Sequence, residues 1–391
     1  MTPPDQPGSR DNGGGLRQPA RLLERDSLPS ARRVVVKIGS SSLTDQRGRL
    51  DDRRIDEITA VAAGLIESGS DVVIVSSGAI AAALGPLGLP HRPTAVDQQQ
   101  ATASVGQALL ATSWSRAFGR HGRVTGQVLL TESDVIGRQT YRNVRSALEA
   151  LLSMGTVPVV NENDTTATHE IRFGDNDRLA ALVAQLLGAD ALILLTDVDA
   201  LYTAPPAEPG ARRIGEVEDV GRLAGVSIGS VGSKVGTGGM VTKLSAAQLA
   251  STTGTATVMT SVENFAPAVE GQDVGTFFPA HHGRRRSRLV WLRFATRGAG
   301  IVRIDEGAAQ ALGRRHRSLL AVGITAVEGT FPAGVPVDVA GPDGEVIARG
   351  LADFSSDELK AMRGRGSQEL RDTLGERFRR PAIHRDQLVM L

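Results

Sequence analysis

Lys37 ends a short β-branched run, Val34-Val35-Val36-Lys37-Ile38, and Gly39 with three serines follows at once. A strand that passes directly into glycine and small polar residues lets backbone N–H groups approach a phosphate. A lysine beside them adds a compact positive charge. On these residues alone, a charged strand end without a ligand is an equal alternative. A second motif is Gly236-Thr237-Gly238-Gly239-Met240-Val241-Thr242-Lys243. Its glycines allow close backbone approach, and the helix that follows offers an N-terminus that favours anions. No G-x-x-x-x-G-K-[ST] stretch occurs, which argues against the P-loop class. Lysine is otherwise scarce: only four, at 37, 234, 243 and 360, stand among 44 basic residues. Coding bias accounts for such scarcity, and on that view the survivors are random.

A third motif clusters amides and carboxylates: Val159-Val160-Asn161-Glu162-Asn163-Asp164, then Phe173-Gly174-Asp175-Asn176-Asp177. Amides and backbone N–H groups can hold a carboxylate ligand, and carboxylates can hold its ammonium. Helix capping by Asp175 or Asn176 explains one residue of the cluster but not the whole of it. Ser76-Ser77-Gly78-Ala79 and Thr196-Asp197 end two further apolar runs and would face the same crevice.

The elements that must position these groups alternate. Strand runs are expected at Arg33–Ile38, Asp71–Val75, Val124–Leu130, Val157–Val160, Ala191–Leu195 and Thr255–Met259. Helical spacing is expected over Asp51–Ser68, Asp97–Phe118, Tyr141–Met154, Asn176–Leu187 and Gly239–Thr252, with an Ala-rich helix after Gly78. Near-continuous apolar strands between helices predict an α/β fold, a mostly parallel sheet sandwiched by helices. Ligands of such sheets bind at the carboxyl ends of the strands, where the unusual polar residues fall.

With 391 residues, more than one core is expected. The absence of cysteine excludes disulfides, thiolate metal sites and a cysteine nucleophile. Residues 1–31 read as a disordered extension without a signal-peptide core, no run approaches a membrane span, and a cytoplasmic protein is expected. Residues 32–280 form the α/β unit and residues 281–288 a basic linker. Residues 289–391 hold short strand-like runs (Leu289–Phe294, Gly300–Ile304, Gly323–Glu328, Val335–Ala340, Glu345–Leu351), a small mostly-β domain. Residues 281–391 carry 19 basic and 13 acidic side chains, so this end is basic and the rest acidic.

The stretches VVVKIGSSSLT, VIVSSGAIAAALG, QVLLTESD, VPVVNENDTTAT, IRFGDNDRLAALVA, LLTDVDALYT and GTGGMVTKLSAAQLA resemble the amino acid kinase family, and NEND followed by GDND resembles its glutamate-phosphorylating branch. IDEGAAQAL, GI-x-x-V-x-G-x-F and AIHRDQLV resemble the PUA domain that follows in that branch. The resemblance implies transfer of the ATP γ-phosphoryl group to the γ-carboxylate of L-glutamate, with Mg²⁺, as the first step toward proline. By similarity, Lys37, Lys243 and Asp177 are catalytic, Asp177 holding the two lysines. Ser77, Asp164 and Asn176 bind glutamate. Lys37, Thr196, Asp197, Thr237, Gly238, Gly239, Met240, Val241, Thr242 and Lys243 bind ATP. No residue is implied as a metal ligand. Residues 232–235 depart from the family pattern by about a residue, which leaves Lys234 between nucleotide contact and surface charge. The resemblance also implies a homo-oligomer and names the downstream glutamyl phosphate reductase as a candidate partner.

Elementary chemistry agrees. A γ-carboxylate with an ordinary pKa of about 4.3 is already ionised at neutral pH and needs no general base. That suits a site without an obvious histidine; His169 reads as structural or peripheral. Catalysis would then come from alignment and from cations on the phosphoryl oxygens. The second domain's arginines are scattered and its aromatics few (Trp291, Phe294, Phe331, Phe354, Phe378), which favours a structural or regulatory module over an RNA binder. Two competing readings remain: another amino acid kinase, acting on acetylglutamate or UMP, and an RNA-binding PUA protein with a vestigial kinase domain.

Overall fold

The computed structural model describes residues 22–45, 48–131, 134–135, 138–166, 176–205, 208–220, 239–281, 292, 298–315 and 317–391. The first unit runs β1 (Arg33–Ile38), α1 (Asp52–Glu67), β2 (Asp71–Ser76), α2 (Ala79–Leu84), α3 (Val96–Gly119), β3 (Thr125–Leu130), α4 (Arg138–Ser153) and β4 (Val157–Glu162). It continues with α5 (Asn176–Leu187), β5 (Ala191–Thr196), β6 (Leu201–Tyr202), β7 (Arg213–Ile214), α6 (Met240–Thr252), β8 (Ala256–Ser261), α7 (Phe265–Val269) and β9 (Thr276–Phe278).

Seven strands form one sheet in the order β3-β4-β2-β1-β5-β8-β9. Every pairing is parallel except β8 with β9. β1 lies between β2 and β5, so successive strands leave it in opposite directions. That reversal opens a crevice at the carboxyl end of β1.

Strand alternation divides the apolar residues between two cores. Val35, Val73, Val75, Val160, Leu192 and Leu194 pack with Leu148 of α4, Leu179–Leu187 of α5 and Leu244 of α6. Val34, Val36, Ile38, Val72, Ile74, Val159 and Ile193 pack with Ile55 of α1, Ala79 of α2, Trp114 of α3 and Phe265 of α7. This period of two fixes which layer each strand-end polar group meets.

The amino ends of the strands are tied by charge. The Arg33 guanidinium donates to Glu149 (2.9 Å), Asp71 (2.9 Å) and the Leu187 carbonyl (2.8 Å). Burial works against its charge, but the hydrogen bonds to Glu149 and Asp71 outweigh it, and its pKa is raised above the ordinary arginine value. Asp190 accepts from the backbone N–H groups of Arg32 (2.8 Å) and Arg33 (3.0 Å).

Beyond the short strands β6 and β7, which were not expected, two further features of the first unit depart from expectation. The segment expected to be disordered through residue 31 is held from Leu22 onward: Arg25–Ser30 form a 3₁₀ turn, and Leu22, Leu28 and Ala31 join the core. Arg25 explains the anchoring, since it donates to the Gly215 carbonyl (2.5 Å) and to Val274 O and lies 5.6 Å from the Phe277 ring centroid. The edge strand β9 was not among the expected strands. It runs antiparallel and closes the sheet beyond β8.

The second unit comprises β10 (Ile301–Ile304), α8 (Glu306–Arg315), β11 (Ile324–Glu328), β12 (Pro336–Ala340), β13 (Val346–Leu351), α9 (Ser356–Met362), α10 (Ser367–Leu374) and β14 (Leu388–Met390). Its five-stranded sheet has the order β11-β10-β12-β13-β14. Phe331 and Phe354 are buried in its core, and Phe378 stacks on Phe354 at 5.5 Å. Lys360 lies 3.7 Å from Asp357 as an exposed i,i+3 pair, an interaction of small worth. Of the run expected at Leu289–Phe294, only Leu292 is described; of the expected linker, only His281.

Among the described residues, the closest approach at a glycine is where α3 crosses α2. A Cβ on Gly106 of α3 would stand 1.6 Å from the Ala79 carbonyl oxygen at the start of α2. The obstacle is backbone, so it cannot swing aside. Gly106→Ala is expected to destabilise the fold by about 1–3 kcal/mol, near the upper end. Urea unfolding followed by circular dichroism measures it; an unchanged midpoint would mean that α3 does not rest on α2 as described.

Candidate active site

Three charged side chains from three elements meet at the carboxyl end of β1. Lys37 Nζ is ion-paired with Asp177 Oδ1, and Lys243 Nζ donates to Asp177 Oδ2 at 3.1 Å. All three are buried, Asp177 completely. Lys37 shares a strand face with Val35, and that face is covered by α5 and α6. Asp177 is the second residue of α5 and Lys243 the fourth of α6. A carboxylate in the first helical turn is favoured by the helix dipole, whereas a cation there is disfavoured by about 0.3–1 kcal/mol. The shared carboxylate offsets that cost for Lys243. Two ammonium groups around one carboxylate carry a net positive charge, a place prepared for an anion.

A second, uncharged cluster closes the neighbouring strand ends. Asn176 Nδ2 donates to Ser77 Oγ (2.9 Å), to the Ser76 carbonyl (3.1 Å) and to Asn161 Oδ1 (3.0 Å). Asn161 Nδ2 donates to Gln107 Oε1 (2.7 Å), and Trp114 Nε1 donates to Ser76 Oγ (2.9 Å). Asn161 follows Val157 and Val159 in strand parity and Ser76 follows Val72 and Ile74, so both meet α3. Asn176 reaches them from α5 on the opposite face. The cluster thus bridges the two helical layers across the strand ends. Gly78, at φ 99°, turns the chain left-handed between Ser77 and α2, a conformation that glycine adopts without strain.

The remaining candidates among the described residues lie around these two groups. Thr196 Oγ1 donates to Asp197 Oδ1 (2.9 Å) at the end of β5. That end is level with Gly39, whose N–H donates to the Leu195 carbonyl (3.2 Å). Gly239 is exposed at the start of α6, and its carbonyl accepts from Thr242 Oγ1 (2.7 Å); Met240 is half-buried and Val241 exposed. Asp164 is half-buried in the turn after β4. Thr237, Gly238, Lys234, His169 and Asp175 lie outside the described residues. Gln107 and Trp114 carried no signal in the sequence, since a glutamine and a tryptophan on a long helix read as surface and core.

Among the described residues no three His, Asp or Glu side chains gather to hold a metal. The oxygens of Thr196 and Asp197 are hard donors, which fits a Mg²⁺ ion carried in on nucleotide phosphates, the usual habit of that ion.

The amino acid kinase family profile matches residues 32–260. The chain belongs to the amino acid kinase family. The PUA domain profile matches residues 300–374. The chain is 52% identical over 368 residues to a protein named glutamate 5-kinase from Salinispora arenicola (strain CNS-205), covering 94% of this chain and 100% of that one. It is 50% identical over 368 residues to glutamate 5-kinase from Streptomyces coelicolor (strain ATCC BAA-471 / A3(2) / M145), covering 94% and 98%. It is 48% identical over 377 residues to glutamate 5-kinase from Bifidobacterium adolescentis (strain ATCC 15703 / DSM 20083 / NCTC 11814 / E194a), covering 96% and 100%. The first match contains Lys37, Asp177 and Lys243, and the second falls on the sheet of the second unit.

Removing the shared carboxylate would leave two buried ammonium groups facing each other. Asp177→Asn is expected to destabilise the fold by about 3–5 kcal/mol. Adding Lys243→Met should recover part of the loss by removing one surplus charge. Urea unfolding of the single and double variants tests this; a double variant weaker than Asp177→Asn would sink it.

Proposed function

We propose that the chain transfers the γ-phosphoryl group of ATP to the γ-carboxylate of L-glutamate, giving L-glutamyl 5-phosphate and ADP, the first step toward proline. The observation that carries this is the pair of buried lysines held by Asp177 beside the Ser77–Asn176–Asn161 cluster. The relatives' shared name supports the choice of acceptor. A γ-carboxylate oxygen attacks the γ-phosphorus as the bond to the β,γ-bridging oxygen breaks, and that oxygen leaves with the electron pair on ADP. The nucleophile is ionised at neutral pH, with a pKa of about 4.3, so no side chain has to take a proton. What the protein supplies is alignment and positive charge.

Lys37 serves the transferring group and Lys243 the leaving side, each as a compact ammonium that follows the charge as it moves. Asp177 keeps both at their stations. Ser77, Asn176 and Asp164 take glutamate. Thr196, Asp197 and the stretch from Thr237 to Lys243 take ATP. Mg²⁺, when bound with the nucleotide, neutralises phosphate charge. The Lys37–Asp177–Lys243 group supports this reading over that of a vestigial kinase beside an RNA-binding module.

No helix among the described residues is long and apolar enough to cross a membrane. We place the protein in the cytoplasm, as a homo-oligomer that hands its product to a glutamyl phosphate reductase. Light scattering with and without the reductase tests both associations; a monomer in each case would refute them.

Hydroxamate formation from ATP and L-glutamate is the direct assay. Turnover with N-acetylglutamate, aspartate or UMP in place of glutamate would overturn the assignment. Lys243→Arg keeps the charge but spreads it over a planar fork. It is expected to lower kcat by about 10²–10³-fold, the range for losing one placed electrostatic group, with the fold intact. Wild-type turnover in that variant would refute a positioned role for Lys243.

A further inference from the structure

No residue of α3 from Gln98 to Ser115 carries a charge, although the outer face of that helix is open to solvent. A surface helix ordinarily carries its charged residues on that face. Instead Val105 is 42% exposed and Leu109 38%. Leu129 of the edge strand β3 is also 38% exposed. It is the register partner of Asn161, which reaches Gln107 of α3, so Leu129 lies on the α3 side of the sheet and widens the same surface. Exposed aliphatic residues on a surface depleted of charge mark the core of a protein interface.

The order of the residues says what covers it. Gln98, Ala101, Val105, Ala108, Thr112 and Ser115 are all exposed and recur at alternating steps of three and four, the spacing of a seam between paired helices. The spacing reads the same from either end. About the midpoint between Gly106 and Gln107, Val105 mirrors Ala108, Ala101 mirrors Thr112 and Gln98 mirrors Ser115. The first charges beyond the series are mirrored as well and are opposite in sign: Asp97 at one end and Arg116 at the other, both exposed. Arg116 is held only loosely, 3.9 Å from the exposed Asp52. A two-fold axis requires such symmetry, because one patch must complement itself.

We propose that α3 joins two copies of this chain, packed antiparallel on its own copy about a two-fold axis level with the midpoint between Gly106 and Gln107. This rests on the reading of the chain as a homo-oligomer and names the surface that forms it. Asp97 of one copy then comes level with Arg116 of the other, and Val105 with Ala108. Parallel packing would set Asp97 against Asp97 and Arg116 against Arg116, like charges that oppose association. A different protein on this face would give no reason for the mirrored order. Since α3 also sends Gln107 and Trp114 to the strand ends, each crevice stands on the helix that joins the copies.

Light scattering and disulfide trapping together test this. Val105→Glu places a carboxylate in the middle of the seam and is expected to halve the mass of the wild-type particle, with the circular dichroism spectrum unchanged. The register is read from the double variant Ala101→Cys/Thr112→Cys, which stays informative if Val105→Glu fails to fold. The chain has no cysteine of its own, so no other disulfide can form. Within one helix the two positions stand about 16 Å apart, beyond the reach of a disulfide, whereas the two-fold axis brings each level with the other across the seam. Oxidised glutathione is expected to give a covalent dimer from the double variant and none from Ala101→Cys or Thr112→Cys alone. An oligomeric wild type whose double variant fails to cross-link, or whose mass survives Val105→Glu, would overturn this interface and leave the homo-oligomer standing. A wild type of one chain's mass would overturn both.

Discussion

A single buried carboxylate organises this crevice. Asp177 binds Lys37 from the sheet and Lys243 from a helix that follows much later in the chain. Bringing charges out of water is expensive, and a buried ion pair seldom returns more stability than an apolar substitute would. The arrangement is therefore better explained by what it presents than by what it holds together. Two lysines sharing one carboxylate are held apart, each turned toward the place where an anion would sit. Arginine outnumbers lysine heavily among the basic residues, yet both cations here are lysine. A guanidinium fork fixes itself to a carboxylate in two parallel bonds, while an ammonium remains a point charge that can serve two anions in turn.

The rest of the first unit serves to deliver those three side chains. Alternation along β1 sends Val35 and Lys37 to one face and Val34, Val36 and Ile38 to the other. The first turns of α5 and α6 then need only lie over that face. Below them, at the amino ends of the strands, Arg33 and Asp190 tie the sheet to its loops, far from the crevice. On the opposite face, α3 rests directly on α2 through Gly106 and sends Gln107 and Trp114 to the ends of β4 and β2. The polar cluster between the layers is thus set partly by the packing of α2 and α3, which hold none of the three charged residues, and partly by α5, which brings Asn176 beside Asp177.

Much of this was legible in the sequence because it is local. β-branched runs ending in Gly or Ser marked the strand ends, and the expected strands other than Leu289–Phe294 lie within a residue or two of their places. Lys37, Lys243, Ser77, Asn176 and Asp177 were visible because each breaks the pattern of its element. Gln107 was not, because its meaning depends on a partner 54 residues away and on a helix crossing that no local pattern records. The anchoring of Leu22–Ala31 was hidden for the same reason: Arg25 finds the carbonyls of Gly215 and Val274 only after the sheet has closed. β9 was missed because three residues are too few to show a period.

If Asp177 and Lys243 act as one unit, their losses cannot add. The most direct measurement is a double-mutant cycle on kcat with Asp177→Asn, Lys243→Met and the double variant, assayed with ATP and L-glutamate. Residues that work through one shared contact give a double variant no slower than the slower single one. Losses that multiply across the two sites would mean that Asp177 and Lys243 contribute separately, and that the shared carboxylate is not what holds the site together.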